Sequence, residues 1–404
     1  MPVNAPVNLQ DKLFRNALLQ DGTLKDIVVR DGRIQSIVPA GTEAGSDTVD
    51  LAGALLVPSF VEGHIHLDTS FWGDKWIPYK PCTDGFDVHE RVTFQAQNMA
   101  QAAPMDVRAR NQLDLCISNG SLQMRSHVMV DGSVGLKSLE TILKVREEYR
   151  DLIDIQLVAF PQSGILKSPG TPDLLDAAIG MGADLVGGLD PLSFDRDIRG
   201  HLDVVFGVAE KHGVDVDIHL HDGSQLGAMT IEEICARTVA LGMQGHVAVS
   251  HAYGLGDLPR DAALKIAGLI ARSGVSIMTN APGHHNFPPV ALLRAEGVNV
   301  FSGSDNIRDS WWPFGDGDML RRAEIISYRS GFFTDAELAS AFDVVTAGGA
   351  KALRLDGYGL AVGAKADFVT LAAAHVPEAV VGVPKPRRVF KGGRLVAENG
   401  AVIR

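Results

Sequence analysis

Four stretches concentrate the residues able to do chemistry: Glu62-Gly-His64-Ile-His66-Leu-Asp68, Asp217-Ile-His219-Leu-His221-Asp222, Ser250-His251-Ala252 and Ser302-Gly-Ser304-Asp305-Asn306. In an extended strand, residues two apart point the same way, so His64 and His66 offer two imidazoles to one ion. His219 and His221 repeat that pattern. Three imidazoles and one carboxylate suit a single divalent metal ion, Zn2+ or Fe2+, with water completing the shell. The cation lowers the pKa of that water and supplies hydroxide near neutral pH. For any one of these histidines a backbone hydrogen bond in the core is an equally good reading; it does not extend to all of them at matching strand ends.

Such residues work together only if the fold sets their strands side by side. Short β-rich runs alternate with Ala/Leu/charged stretches of helical spacing, the βα pattern of a parallel sheet. The runs are Leu55-Val57 leading to Phe60-His66, Leu122-Val130, Ile153-Gln162, Asp184-Leu189, Val214-His221, His246-His251, Val275-Asn280 and Val298-Asp305. About eight βα units in roughly 290 residues predict a closed α/β (β/α)8 TIM barrel, whose strands end on one catalytic face.

The two ends of the chain read differently. Leu13 to Val38 carries β-rich runs separated by Asp-Gly at 21–22 and 31–32, a hairpin signal, and Ala366-Asp-Phe-Val-Thr-Leu and Arg388-Val-Phe-Lys-Gly-Gly-Arg repeat that texture. A small β-sandwich domain from residues 1–57 and 356–404 is therefore expected, with the barrel at 58–355.

Composition narrows the class. With 46% hydrophobic and 21% charged residues over 404, the chain is neither a coiled coil nor a disordered tail protein. A formal charge of -12 and no basic run predict no nucleic-acid partner and no membrane partner. Cys82, Cys116 and Cys235 are odd in number and widely spaced, which fits a reducing cytoplasm. Neither a signal peptide nor a membrane span is expected.

The set VPSFVEGHIHLDTS, VAFPQSGI, DVDIHLHD, VSHA and SGSDNIRDSWWPFG resembles the amidohydrolase superfamily, in the branch of bacterial cytosine deaminase and N-isopropylammelide isopropylaminohydrolase. The similarity runs along almost the whole chain. It implies metal ligands at His64, His66, His219 and Asp305, with His251 beside the activated water and Asp305 shuttling its proton to the leaving amine. That last role agrees with the residues themselves, since a ligand carboxylate next to the nucleophile is well placed as a base. Binuclear members carry a bridging Lys or Glu at the end of the fourth strand; this chain reads Leu185-Val-Gly-Gly-Leu-Asp190, so one metal is expected. Asp190 reads as a turn residue before Pro191.

Gln162 matches the family residue that hydrogen-bonds the ring's carbonyl and nitrogen, and an amide offers both polarities on one group. Trp311 and Trp312 resemble the family's aromatic wall, with Trp311 the better candidate. Two positions depart from cytosine deaminase: Asp222 replaces the Glu that protonates the ring nitrogen, and Asn306 replaces a second Asp. There the chain looks more like the isopropylaminohydrolase, although that enzyme's Lys is Thr69 here. His221 reads equally as a substrate contact or as a residue without that role, His284 and His285 as solvated loop residues, and His127 as support for the site or core. The loops Phe71-Phe94 and Pro282-Pro289 shape the pocket.

The expected activity is hydrolysis of an exocyclic amino or alkylamino group on a nitrogen heterocycle, a cytosine- or isocytosine-like pyrimidine or an aminotriazine. Asp222 would protonate the adjacent ring nitrogen. The alternative within enzymes is hydrolysis of a cyclic amide or imide; a non-catalytic barrel scaffold is the reading from another class. The resemblance also implies a homo-oligomer.

Overall fold

The computed structural model describes residues 11–45, 47–85, 87–283 and 285–404. His284 lies outside the described residues.

The two chain ends meet in one nine-stranded sheet. Lys12–Leu18, Leu24–Arg30 and Arg33–Pro39 form an antiparallel meander. Asp31 and Gly32 both take positive φ (48° and 73°), the geometry of a tight hairpin turn that Asp-Gly accommodates. Leu55–Pro58 then pairs antiparallel with Phe368–Leu371, which joins the two ends of the chain. Phe14 meets Phe368 and Phe390 edge-on at 4.9 and 5.1 Å in the core beneath. Burying each such ring contributes on the order of 1.5–3 kcal/mol, so strands from the two ends of the chain stabilise one another.

The remainder is a (β/α)8 barrel. Eight parallel strands run in sequence order: Phe60–Ile65, Ser121–Met129, Asp154–Phe160, Leu185–Leu189, Asp215–Leu220, Val247–His251, Ser276–Met278 and Val300–Phe301. Helices cover the outside for the usual amphipathic reason. In Lys137–Tyr149 the buried residues Leu139, Ile142, Val145 and Tyr149 recur every three or four positions and face the strands.

The last strand is shorter than the run Val298-Asp305 suggests, and the cause is steric. Gly303 crosses the backbone of His64 so closely that a Cβ there would lie 2.3 Å from both its nitrogen and its oxygen. The chain then turns at Asp305 (φ 59°), whose amide donates to the His64 carbonyl at 2.8 Å. A single bridge between Ile65 and Asp305 continues this closure of the barrel.

The region expected as a loop over Phe71-Phe94 contains a helix, Val88–Met99, because the Asp87 side chain accepts from the Glu90 amide at 2.8 Å and caps it. No helix among the described residues is long and apolar enough to cross a membrane.

Candidate active site

Alternation along the barrel strands sends polar side chains inward in layers. Deep in the barrel, Arg125 of the second strand donates to Asp217 of the fifth at 2.9 Å, both side chains buried. Asp217 also accepts from the Ser250 hydroxyl at 2.7 Å, and Ser250 Oγ lies 3.0 Å from His64 Nδ1. Because the Ser250 proton goes to Asp217, Ser250 can only accept from His64. The ring is therefore protonated at Nδ1 and keeps its Nε2 lone pair.

That Nε2 is buried, without a hydrogen-bond partner, and 3.6 Å from Asp305 Oδ1. His66 Nε2 stands 3.4 Å from the same oxygen. Both ring nitrogens of His219, and Nε2 of His251, are likewise buried without a hydrogen-bond partner. Possible ligand atoms of His64, His251 and Asp305 lie within 4.8 Å of one another, as do those of His64, His127 and His219. Burying an unpaired polar atom costs roughly 1–3 kcal/mol, so this cluster of orphans is a physical argument for a cation. His64 thus belongs to two groups of possible ligands, one with His251 and Asp305 and one with His127 and His219, and His66 reaches Asp305. The His127 ring lies 3.9 Å from that of His64, centre to centre and tilted, and belongs to the same cluster.

Electrostatics favour neutral rings at four of these histidines, while at His66 burial is outweighed by the Asp305 carboxylate, which raises the imidazole. Burial pushes His64, His127 and His219 far below the ordinary imidazole value, and their mutual repulsion adds to it. Burial and the nearby His221 bring His251 down to about 3. Neutral imidazoles are what a metal requires. Burial pushes the Asp305 carboxyl up, but His251 and His66 outweigh it and leave it below the usual carboxylate range. Its other oxygen accepts from Asn280 Nδ2 at 2.8 Å, so Oδ1 is the one turned to His64 and His66.

The cluster opens into a cavity lined by His66, Gln162, His219, His221, Asn306 and Trp311 among others. Trp311 is in this wall, whereas Trp312 lines a separate cavity with Phe314. Asn306 gives its Nδ2 to Asp309 at 2.5 Å.

Asp190 does more than make a turn. Its φ of 36° fits one, but its carboxylate is buried, accepts from the His221 amide at 2.5 Å and lies 2.7 Å from His221 Nδ1. Burial lowers the His221 pKa, but the Asp190 charge outweighs it and raises the imidazole. His221 thus stands in the cavity wall, stacked on His251 at 4.5 Å. Asp222 is not among the wall residues: one oxygen takes the Ser193 hydroxyl and the other is buried without a hydrogen-bond partner. Burial, then the Asp190 charge, raises its carboxyl. His285 stacks on Tyr253 at 5.3 Å, away from solvent on that side.

Several contributors were not singled out from the sequence. Asp217 and Ser250 sit inside the motifs DVDIH and VSH, where strand alternation already sets Asp217 on the face of His219. Gln95 and Asn280 carry no such signal.

A model of the amidohydrolase family matches residues 47–397. The chain is 32% identical to N-isopropylammelide isopropyl amidohydrolase of Pseudomonas sp. (strain ADP) over 97% of this chain and 98% of that protein. Its structure is similar to N-isopropylammelide isopropylaminohydrolase of Burkholderia multivorans (TM-score 0.93, 38% identity, 98% of this chain and 100% of that one). It is also similar to 5-methylcytosine deaminase of Klebsiella pneumoniae liganded with phosphonocytosine (TM-score 0.85, 28% identity, 97% and 99%).

Proposed function

This chain belongs to the amidohydrolase family, and from that premise we propose that it removes an exocyclic amino or alkylamino group from a nitrogen heterocycle, an aminotriazine or a cytosine-like pyrimidine, using one divalent metal ion. It is a hydrolase acting on C–N bonds other than peptide bonds. The observation that carries the reading is the set of buried imidazole nitrogens without a hydrogen-bond partner, His64 Nε2 facing Asp305 among them, beside a cavity lined by Gln162 and Trp311.

His64, His66, His219 and Asp305 would hold the ion. When bound, Zn2+ or Fe2+ supplies the Lewis acidity that brings the pKa of a water molecule toward neutrality. Asp305, kept ionised by its neighbours, takes the proton of the attacking water on its carboxylate and returns it to the leaving amine. His251, with Nε2 unpartnered, orients that water. Asp222 supplies the proton for the ring nitrogen, beside His221, which lines the cavity and is held by Asp190. Gln162 reads the ring edge and Trp311 covers a face. A cytoplasmic homo-oligomer completes the proposal; three unbridged cysteines support the compartment.

The test is release of ammonia or amine from aminopyrimidines, aminotriazines and pterins by enzyme loaded separately with Zn2+ and Fe2+. Release that disappears in His64→Ala and Asp305→Ala supports the reading. Silence with metal bound would favour cyclic-amide hydrolysis, and silence with no metal retained a scaffold.

A further inference from the structure

We propose that Gln95 is a positioning residue which, with the indole N–H of Trp311, fixes the direction in which Gln162 presents its amide to the ring. The inference rests on the heterocycle reading above and concerns how that site tells one ring edge from another.

The two ends of a carboxamide are nearly the same size, so its neighbours decide which end is oxygen. Trp311 Nε1 can only donate, and it lies 2.5 Å from one end of the Gln95 amide. That end is therefore Oε1. The opposite end, Nε2, then donates to Gln162 Oε1 at 3.0 Å and to Met129 Sδ at 3.1 Å. Gln162 Nε2 donates back to Gln95 Oε1 at 3.3 Å.

A count of donors and acceptors separates the two glutamines. Gln95 spends both lone pairs, on Trp311 and Gln162, and both N–H groups, on Gln162 and Met129. It faces the cavity with nothing left for a ligand. Gln162 spends one lone pair and one N–H on Gln95 and keeps one of each. Turning the Gln162 amide over would set N–H against N–H and oxygen against oxygen at both contacts. Turning both amides over would set an N–H of Gln95 against the indole N–H. Both glutamines are buried, so water cannot relieve either arrangement. The indole is itself anchored, since Asp309 Oδ1 accepts the backbone amides of Trp311 and Trp312 at 2.8 and 3.0 Å.

The polarity of the edge that Gln162 offers is thus set from the helix Val88–Met99, by a side chain that does not read the ring. Rings that exchange a carbonyl and an amino group around the same skeleton are distinguished by it.

The experiment compares wild type with Gln95→Met, Trp311→Phe and the double variant, each metal-loaded and checked for folding by circular dichroism. Two ratios are read: kcat/KM for cytosine against isocytosine, and the calorimetric Kd for 2-pyrimidinone against 2-aminopyrimidine. Each single variant is expected to bring both ratios about tenfold closer to one, the worth of about one hydrogen bond. The double variant is expected to go no further, because both substitutions release the same lock. Ratios unchanged in the folded single variants, or losses that add in the double, would overturn the proposal. Failure of the function itself reads differently: turnover of neither ring removes the kinetic ratio, while the calorimetric ratio still tests the lock.

Discussion

The hydrogen bond between His64 and Ser250 has a direction, and that direction decides what His64 can do. Ser250 gives its proton to Asp217 and can only accept from His64 Nδ1, 3.0 Å away, so the buried Nε2 keeps its lone pair facing Asp305. Arg125 holds Asp217 from the other side at 2.9 Å. A chain of fixed donors thus runs from the barrel interior to the candidate ligand.

Ser250→Ala should leave the fold intact and weaken metal binding, because the ring then loses the partner that sets its tautomer. The loss expected for such an outer partner is about 10- to 100-fold in affinity, read by competition with a chromophoric chelator. Affinity equal to wild type would show that the ring needs no such partner.

How much of this was legible in the chain depends on how local the determinant is. His64, His66 and His219 declare themselves because alternation along a strand is a two-residue rule. The barrel follows from strand and helix texture, and the meeting of the two ends from their shared hairpin signals. The eighth strand was overextended: Val298 to Asp305 reads as β, but contact of Gly303 with His64 and the positive φ of Asp305 are set by a partner more than two hundred residues away. The sequence shows only half of Asp190, since its turn is local and its bond to His221 is not. Gln95 was invisible because its place depends on how the segment after Phe71 returns to the barrel mouth as a helix.

Asp222 and His221 should separate by kinetics. Burial and the Asp190 charge raise the Asp222 carboxyl although Ser193 donates to it and it stands behind the cavity wall, so, as the proposed proton source, Asp222→Asn should lower kcat about 10²- to 10⁴-fold with metal content unchanged. His221→Gln keeps a polar group in the wall and should act mainly on KM. Steady-state kinetics on one turned-over ring decides it; the reverse pattern would assign the ring proton to His221.

Gly303→Ala tests barrel closure. The new Cβ would meet backbone rather than a movable side chain, at 2.3 Å from His64 N and O. Roughly 1–3 kcal/mol or more of stability should be lost, and metal retention with it, because His64 moves first. Urea unfolding and metal analysis of the same preparation check both; a variant as stable as wild type would mean that the strands separate there without cost.

Asp309 links pH to stability. Its buried carboxyl accepts from Thr69, Asn306 and the amides of Trp311 and Trp312, yet burial outweighs these bonds and raises it from 3.8 to about 6. A carboxyl raised on folding contributes stability that is fully present below its unfolded value and is lost as pH rises through the folded one. Over about two pH units this amounts to roughly 3 kcal/mol, withdrawn between about pH 4 and pH 6. Asp309→Asn cannot ionise and should lack that slope. Relative to wild type it should be at its weakest near pH 4 and gain ground up to pH 7, in urea titrations of both proteins under chelation. A difference that stays constant across that range would place the Asp309 titration outside the window.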